Sequence, residues 1–262
     1  MSKLRFRLLF AALGLAAVMP AFVTAQQTVG GLDVNVKNVK ADGKPVKLSR
    51  KRFFLFKGGL KENEELLKRI DAAEIASRNC YYTGQKASPA YICWLQAENC
   101  ESPFCRIVDA RYVDETNPTH VPEFLTAYKT GLKLYNNRKD ISLEWIIPNM
   151  TNNLVDGYYR EQQKVLRGVL GTTKQITSSM IDTSSTKTIF LDLPFNGTET
   201  KVKYLVSNVL PIEIGDKSYV WTCEKDVEAG KKTILDMSKT GKNCVTTVLT
   251  VRNCETLACE VK

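Results

Sequence analysis

Eight cysteines are the residues of this sequence with the most evident chemistry. They form one group in the middle of the chain and one near its end: Cys80, Cys93, Cys100, Cys105, Cys223, Cys244, Cys254 and Cys259. An even number of cysteines is typical of disulfide-bonded proteins outside the cytoplasm. Zinc binding is disfavoured, because two cysteine pairs have four intervening residues rather than two and the chain has 1 histidine.

Sequence spacing favours one set of disulfides, although eight cysteines allow about 105 pairings and the connectivity stays open at this point. Two pairs are close enough to close short loops, and two further pairs then remain. The expected bridges are therefore Cys100–Cys105, Cys254–Cys259, Cys80–Cys93 and Cys223–Cys244. A loop of about 15 residues contributes roughly 3 kcal/mol when it is closed.

His120 is the single histidine, and it precedes Pro122 in Thr-His-Val-Pro. A catalytic histidine needs a serine or cysteine nucleophile to activate. The chain contains no Gly-x-Ser-x-Gly motif, and its cysteines are expected to be oxidised. We therefore interpret His120 as a loop or capping residue.

Carboxylates are concentrated just after the first strands. The acidic residues of this segment are Glu62, Glu64, Glu65, Asp71 and Glu74. Glu62 and Glu65 are three residues apart, so they could face one cleft and perform acid–base chemistry. The commoner meaning of such a row is the solvated face of an amphipathic helix, which we prefer.

A calcium site is a second chemistry that carboxylates could support. Asp109, Asp114 and Glu115 are close in sequence but lack the spacing of an EF-hand. We therefore predict no catalytic residue, no cofactor and no metal site in this chain.

A weak candidate for a ligand surface combines basic and aromatic residues. Lys44, Lys47 and Arg50 belong to the densest basic run, which could contact an anionic envelope glycan, or could simply be a solvated loop. Tyr81 and Tyr82 could line a groove. The aromatic residues of this region mostly recur at helical spacing, which favours packing instead.

The ends and the charge of the chain indicate its compartment. Residues 1–25 have a basic start, an apolar core and a small-residue cleavage site, the pattern of a signal peptide. Their removal lowers the net charge from +9 to +6, because three basic and no acidic residues are lost. We expect a secreted or periplasmic protein without a transmembrane segment after cleavage. Nucleic-acid binding is disfavoured, because no zinc-finger, RRM or KH motif accompanies the charge.

Periodicity divides the remainder into β and α regions. Leu32, Val34 and Val36 alternate with polar residues as in a half-buried strand, and an aromatic run at 53–56 predicts a buried one. Helical spacing follows over 59–171, where we predict five or six helices. These include a helix opened by Ser88-Pro89, short helices near 106–110 and around Leu143 and Trp145, and a long helix from about Asn153. A Ser/Thr-rich linker over 172–186 precedes further strand patterns and a tail at 252–262.

Short motifs in the β regions resemble the carboxypeptidase-regulatory-like domains, which have a prealbumin (transthyretin-like) β-sandwich fold. The motifs are Asp42-Gly43-Lys44-Pro45-Val46 after a Val-rich strand, Phe190-Leu191-Asp192-Leu193-Pro194, and Tyr204-Leu205-Val206. The Cys80 and Cys100 segments and Trp221-Thr222-Cys223 further resemble secreted bacterial proteins that carry this module with a helical insertion. The chain departs from the domain family in the hundred or so residues that follow the second strand.

The resemblance implies an α+β protein. An antiparallel prealbumin-like β-sandwich would be formed by residues 30–57 and 186–251. An all-α insertion at 59–171 would interrupt it, and a disulfide-bonded tail would follow it. Such modules have no catalytic activity of their own. We therefore expect a non-catalytic cell-envelope binding module whose partner is an envelope protein or glycan. The alternatives are an envelope-polymer hydrolase that uses carboxylates of the insertion, and a purely structural envelope protein.

Overall fold

The computed structural model describes residues 29–41, 43–74, 76–98, 100–140, 142–196, 198–214, 217–239, 243–250 and 259. The predicted signal peptide at 1–25 lies outside these residues, as does the tail at 252–262 apart from Cys259. The described residues form a mixed α and β protein in which most strand pairs are antiparallel.

Eleven strands and six α-helices make up the described residues. The strands are β1 Val29–Asn35, β2 Lys40–Ala41, β3 Lys44–Pro45, β4 Arg52–Lys57, β5 Thr177–Met180, β6 Lys187–Pro194, β7 Lys201–Ser207, β8 Ile212–Ile214, β9 Lys217–Glu228, β10 Lys232–Asp236 and β11 Cys244–Thr250. The helices are α1 Glu64–Asp71, α2 Arg78–Gly84, α3 Pro89–Ala97, α4 Pro122–Leu134, α5 Asn152–Val155 and α6 Gly157–Leu170. Short 3-10 turns lie at Pro103–Cys105, Ala110–Val113 and Ile147–Asn149.

The larger sheet has the strand order β11-β9-β7-β4-β5, with β8 paired to β9. Strand β4 is buried on both faces, which explains its continuous aromatic run. Phe53 and Leu55 point into a core shared with the smaller sheet, whereas Phe54 and Phe56 pack against α1 and α6. Alternate side chains of a strand point to opposite faces, so both faces must be covered for all four to be buried.

The smaller sheet has the order β10-β1-β6. Its inward side chains, including Leu32, Val34 and Phe190, join Tyr204 and Trp221 of the larger sheet in one apolar core. The alternation predicted for β1 is therefore confirmed, since its burial pattern alternates along the strand. Two sheets, each too small to bury its own apolar face, stabilise each other by this contact.

One strand pair is parallel, which corrects the expectation of a purely antiparallel arrangement. The residues Ala229-Gly230 predict a hairpin or a Greek-key connection between β9 and β10. The connection is not a hairpin, because β10 leaves the sheet of β9 and pairs parallel with β1. Gly230 has φ +69° and donates its N–H to the carbonyl of Val29 at 2.9 Å, which turns the chain toward β1. The pattern of apolar residues in the sequence does not predict this hydrogen bond.

The six helices all lie between β4 and β5 in sequence, and we call residues 64–170 the helical block. The predicted start of α3 is confirmed, because Ser88 Oγ accepts the N–H of Tyr91 at 3.1 Å and Pro89 is the first residue. The predicted helix at 106–110 is wrong, since Arg106 is extended there. Likewise Leu143 and Trp145 lie in turns, not in a helix.

The long helix predicted from Asn153 is interrupted at Asp156, which separates α5 from α6. Gly157 begins α6 beside the hydroxyl of Tyr81, where any Cβ would collide with that oxygen. The interruption lets the Tyr81 ring approach the backbone. None of the helices in the described part of the chain is long and apolar enough to cross a membrane.

Candidate functional site

A cleft lies where the helical block meets the larger sheet. Its enclosed volume is about 20 Å³, room for about one water molecule. The side chains around it come from α2, α6, β8 and three connecting loops: Lys51, Arg78, Glu101, Tyr158, Gln162, Pro211 and Glu213. The cleft therefore contains two carboxylates and two cationic groups.

Glu213 of β8 accepts two hydrogen bonds from the helical block on one oxygen. The backbone N–H of Arg78 donates to Oε1 at 2.6 Å, and the Tyr158 hydroxyl donates to the same oxygen at 2.7 Å. Burial, and then the charge of Glu213, raises the pKa of Tyr158 well above its usual value. The hydroxyl therefore keeps its proton and remains a donor to the carboxylate.

The remaining charges of the cleft also contact neighbouring groups. Arg78 Nη1 donates to the carbonyl oxygen of Cys100 at 2.8 Å, which ties α2 to the loop after α3. Lys51, just before β4, forms an ion pair with Glu101 of that loop. We call the residues around this cleft the polar seam. Across it, Glu213 of β8 and Lys51 before β4 bind the helical block through hydrogen bonds and an ion pair.

Replacing Tyr158 by Phe is expected to lower the free energy of unfolding by about 2 kcal/mol. A hydrogen bond to a charged acceptor is worth about 1.5–3 kcal/mol, and the variant leaves Glu213 with one donor fewer in a largely buried place. Urea unfolding measures the change. Tyr159→Phe is the matched control, because its exposed side chain should give a change within about 0.5 kcal/mol. Equal losses in the two variants would contradict this role for the Tyr158 hydroxyl.

Glu62 and Glu65, which were considered as an acid–base pair, contact different groups. Glu62 Oε2 accepts the N–H of Gly59 at 2.8 Å, and this bond is the main reason that the pKa of Glu62 is lowered. Glu64 and Glu65 are exposed and pair with Lys68 on the first turns of α1. The preferred interpretation, a solvated helix face, accounts for these two contacts. The seam carboxylates Glu101 and Glu213 were not among the candidates.

The three residues considered for calcium each have a local partner. Asp109 Oδ1 accepts the N–H of Arg111 at 3.0 Å, and Glu115 forms an ion pair with Lys129. Asp114 accepts the hydroxyl and N–H of Thr116, and these bonds lower the pKa of Asp114. Among the described residues, no group of three or more His, Cys, Asp or Glu side chains could hold a metal ion.

His120 is held within its own turn. Its Nδ1 lies 2.9 Å from the carbonyl oxygen of Asn117, and its backbone N–H donates to the same oxygen at 3.0 Å. These contacts fit the interpretation of His120 as a loop residue.

The weak ligand surface is only partly exposed. Lys44, Lys47 and Arg50 are exposed on the β2–β3 hairpin and the loop that follows it. Tyr82, in contrast, is fully buried, and its hydroxyl donates to the carbonyl oxygen of Glu101 at 2.9 Å. Tyr82 therefore belongs to the core of the helical block and is removed from the candidate surface. Tyr81 is half-buried and donates to the carbonyl oxygen of Asn153 at 3.1 Å.

The disulfides agree with the sequence-based pairing in two of the expected bridges. The structure contains Cys100–Cys105, Cys223–Cys244 and Cys93–Cys259. The expected Cys80–Cys93 and Cys254–Cys259 bridges are wrong, because Cys93 of α3 bonds to Cys259. Cys80 is disulfide-bonded as well, and Cys254 lies outside the described residues. Sequence proximity misleads here because Cys259 bonds to Cys93 of α3, which lies 166 residues earlier in the chain.

Two exposed apolar side chains that sequence reasoning did not single out flank Cys105: Phe104 lies inside the loop closed by Cys100–Cys105, and Ile107 lies just after it. Phe104 is 66% exposed and Ile107 is 88% exposed. The available signal was an apolar residue on either side of Cys105 in a stretch without helical periodicity. We call these two residues the apolar loop pair.

Comparison of the chain with protein-family models, curated proteins and solved structures finds no match.

Proposed function

We propose that this protein is a non-catalytic binding module of the cell envelope, secreted or periplasmic, built on a prealbumin-like β-sandwich with a helical insertion. Two sheets that share one core support the sandwich. The direct pairing of β4 with β5, the strands on either side of the helical block, supports the insertion. The signal-like segment at 1–25 and the disulfides support the extracytoplasmic location.

The observation that carries the binding role is the exposure of Phe104, inside the loop closed by Cys100–Cys105, and of Ile107, two residues after that bridge. Large apolar side chains that are held in place make favourable contacts, since little conformational entropy is lost when a partner covers them. The Cys100–Cys105 bridge closes the loop, and the Cys93–Cys259 bridge fixes α3, from which the loop emerges. These features favour an envelope protein as the partner, contacted through the helical block.

Replacing the apolar loop pair by serine, in a Phe104→Ser/Ile107→Ser variant, is expected to weaken capture of the envelope partner at least about ten-fold. Burial of two large apolar side chains is worth about 1.5–3 kcal/mol each. Quantitative affinity capture from a cell-envelope extract compares the variant with the wild type. Leu191→Ser is the matched control, because Leu191 is 68% exposed on the smaller sheet, outside the helical block. Unchanged capture by the double variant would refute this contact surface.

A glycan partner leads to a different result in the same experiment. Lys44, Lys47 and Arg50 are exposed and carry the basic charge that an anionic polymer would attract. Loss of capture after their replacement by alanine, with the apolar loop pair intact, would assign the partner to the anionic glycans.

A hydrolase remains the second candidate, because Glu101 and Glu213 line one cleft. Two carboxylates on one cleft are the groups that glycoside hydrolysis uses. Both carboxylates already contact protein groups: Glu101 pairs with Lys51, and Glu213 accepts hydrogen bonds from Arg78 and Tyr158. These contacts favour a binding role for the protein over glycoside hydrolysis. Glu101→Gln and Glu213→Gln test the point, since a hydrolase would lose release of soluble sugars from envelope polymer.

A further inference from the structure

Strand β11 ends the larger sheet, and its outer edge has no strand partner among the described residues. It pairs with β9 over its whole length in an uninterrupted antiparallel register, from Cys244 opposite Cys223 to Thr250 opposite Lys217. Every second residue of such an edge strand directs its backbone N–H and C=O away from the sheet. The register identifies which residues these are.

Residues 244, 246 and 248 direct their backbone groups outward. The N–H of Glu224 donates to the carbonyl of Asn243 at 2.7 Å, so Asn243 belongs to a hydrogen-bonded pair. The next pair, Cys244 with Cys223, has the short Cα–Cα distance of 4.0 Å that is typical of a non-hydrogen-bonded pair. Alternation then assigns Val245 and Thr247 to the ladder with β9.

The other side of β9 provides an independent check on this assignment. Thr246 and Val248 lie opposite Trp221 and Tyr219. If these are non-hydrogen-bonded pairs, the two β9 residues must direct their backbone groups away from β11. They do so: Trp221 N–H donates to Asn208 Oδ1 at 2.7 Å, and Tyr219 C=O accepts from Asn208 Nδ2 at 3.0 Å.

The composition of β11 leaves this edge unprotected. Natural edge strands are commonly blocked by charged residues, proline, bulges or short length. The strand reads Cys-Val-Thr-Thr-Val-Leu-Thr, without charge, proline or glycine, and its register has no bulge. Strand β5, at the opposite end of the sheet, has 4 residues and is mostly polar. Of these two ends of the larger sheet, β11 is therefore the better suited to accept a further strand.

We propose that the edge of β11 binds an extended segment of a partner protein as an added antiparallel strand, uncharged in its centre and acidic at its ends. The outward N–H and C=O groups of Cys244, Thr246 and Val248 would supply the hydrogen bonds. The half-exposed Val245 and Val248 would contact its β-branched side chains. This inference concerns a surface separate from the apolar loop pair and does not rest on it.

Charge argues for a partner segment over a second copy of this chain. The net charge is +6 without residues 1–25, and the sequence places Lys242 before β11 and Arg252 after it. Two copies joined at this edge would oppose like charges, whereas acidic residues at both ends of a partner strand would complement them.

Backbone hydrogen exchange with a probe peptide tests the proposal. The probe is Glu-Glu-Thr-Val-Thr-Val-Thr-Glu-Glu with blocked ends, and its counterpart carries Lys in place of every Glu. In the protein alone, the amides of Thr246 and Val248 should exchange much faster than those of Val245 and Thr247. Saturation with the acidic probe should slow exchange at Thr246 and Val248 about ten-fold or more. Equal protection of all four amides without the probe would overturn the proposal, and so would the absence of slowing.

Thr246→Pro gives a second, independent measurement. Proline at this position removes an outward N–H while leaving the β9–β11 ladder intact. Binding of the acidic probe should weaken about ten-fold, because one backbone hydrogen bond is lost and the ring blocks close approach. Thr246→Val is the matched control, since it keeps the N–H and should bind as the wild type does. Thermal unfolding of both variants verifies that the fold is retained.

Three further results would overturn the proposal. The first is binding that Thr246→Pro leaves unchanged. The second is equal affinity for the acidic probe and for its lysine counterpart, because the partner strand would then not need acidic ends. The third is a dimer, seen by sedimentation, that Thr246→Pro dissociates, because the occupant would then be a second copy. The Phe104→Ser/Ile107→Ser variant should bind the probe normally, so failure of the proposed function and failure of this inference are distinguishable.

Discussion

Raising the pH above about 10 is expected to unfold the protein steeply. Tyr82, Tyr91 and Tyr158 are 0%, 0% and 3% exposed in the core of the helical block. Burial is the largest cause that raises the pKa of each above its usual value. The Tyr82 and Tyr91 hydroxyls donate to the carbonyl oxygens of Glu101 and Leu154, at 2.9 Å and 2.8 Å, so each needs its proton to keep its hydrogen bond.

The sign of the effect follows from proton binding. In the unfolded chain these tyrosines ionise near pH 10, whereas the folded protein keeps them protonated at higher pH. Above pH 10 the folded state therefore binds more protons, and stability falls as the pH rises. Each tyrosine contributes about 1.4 kcal/mol per pH unit, and three together about 4 kcal/mol. A typical stability of about 5–15 kcal/mol would be lost within a few pH units.

Alkaline titration followed by two signals checks this prediction. The tyrosinate absorbance of the buried residues should rise together with the loss of far-ultraviolet circular dichroism. Tyr91→Phe removes one ionisation, so the slope of stability against pH should fall by about a third. Complete tyrosine ionisation near pH 10 in a protein that stays folded would contradict the prediction.

Removal of the Cys93–Cys259 bridge is expected to destabilise the protein far more than removal of Cys100–Cys105. The two bridges have sequence separations of 166 and 5. In the chain-entropy treatment, their removal costs about 5 and about 2 kcal/mol, respectively. The larger value is an upper bound, because other bridges already restrict the unfolded chain.

The double variants Cys93→Ala/Cys259→Ala and Cys100→Ala/Cys105→Ala form a matched pair. Guanidinium unfolding of both, without reductant, measures the two losses. The long bridge also joins α3 to the C-terminal segment, so its loss should accelerate hydrogen exchange in α3 more than in β4. Equal destabilisation by the two variants would show that loop length does not govern these bridges.

Features decided by neighbouring residues were predictable from the sequence. The aromatic run of β4 and the alternation of β1 indicated strands, and the Ser88-Pro89 pair indicated the start of α3. Strand β5 was missed, because Thr177–Met180 is polar and lies in a Ser/Thr-rich stretch. It is a strand since its backbone pairs with β4, and that tertiary contact leaves no periodic signal in its side chains.

The candidate site depended on contacts that a linear pattern does not contain. Glu213 lies in the short strand β8, some 135 residues after Arg78, and nothing in its neighbourhood marks it as a partner of α2. Tyr81 and Tyr82 are adjacent, yet the helix directs only the second into the core. Which of the two is buried depends on helix orientation, and a single sequence does not specify that orientation.

The bond between Cys93 and Cys259 has a consequence for the order in which the protein can mature. A chain synthesised from its N-terminus completes α2 and α3 long before Cys259 is made, so only nearer cysteines such as Cys80 and Cys100 are available to Cys93 in that interval. The native fold excludes this early pairing, because it reserves Cys93 for a residue almost at the end of the chain. We therefore expect oxidative maturation to be limited by thiol–disulfide exchange and accelerated by a disulfide isomerase.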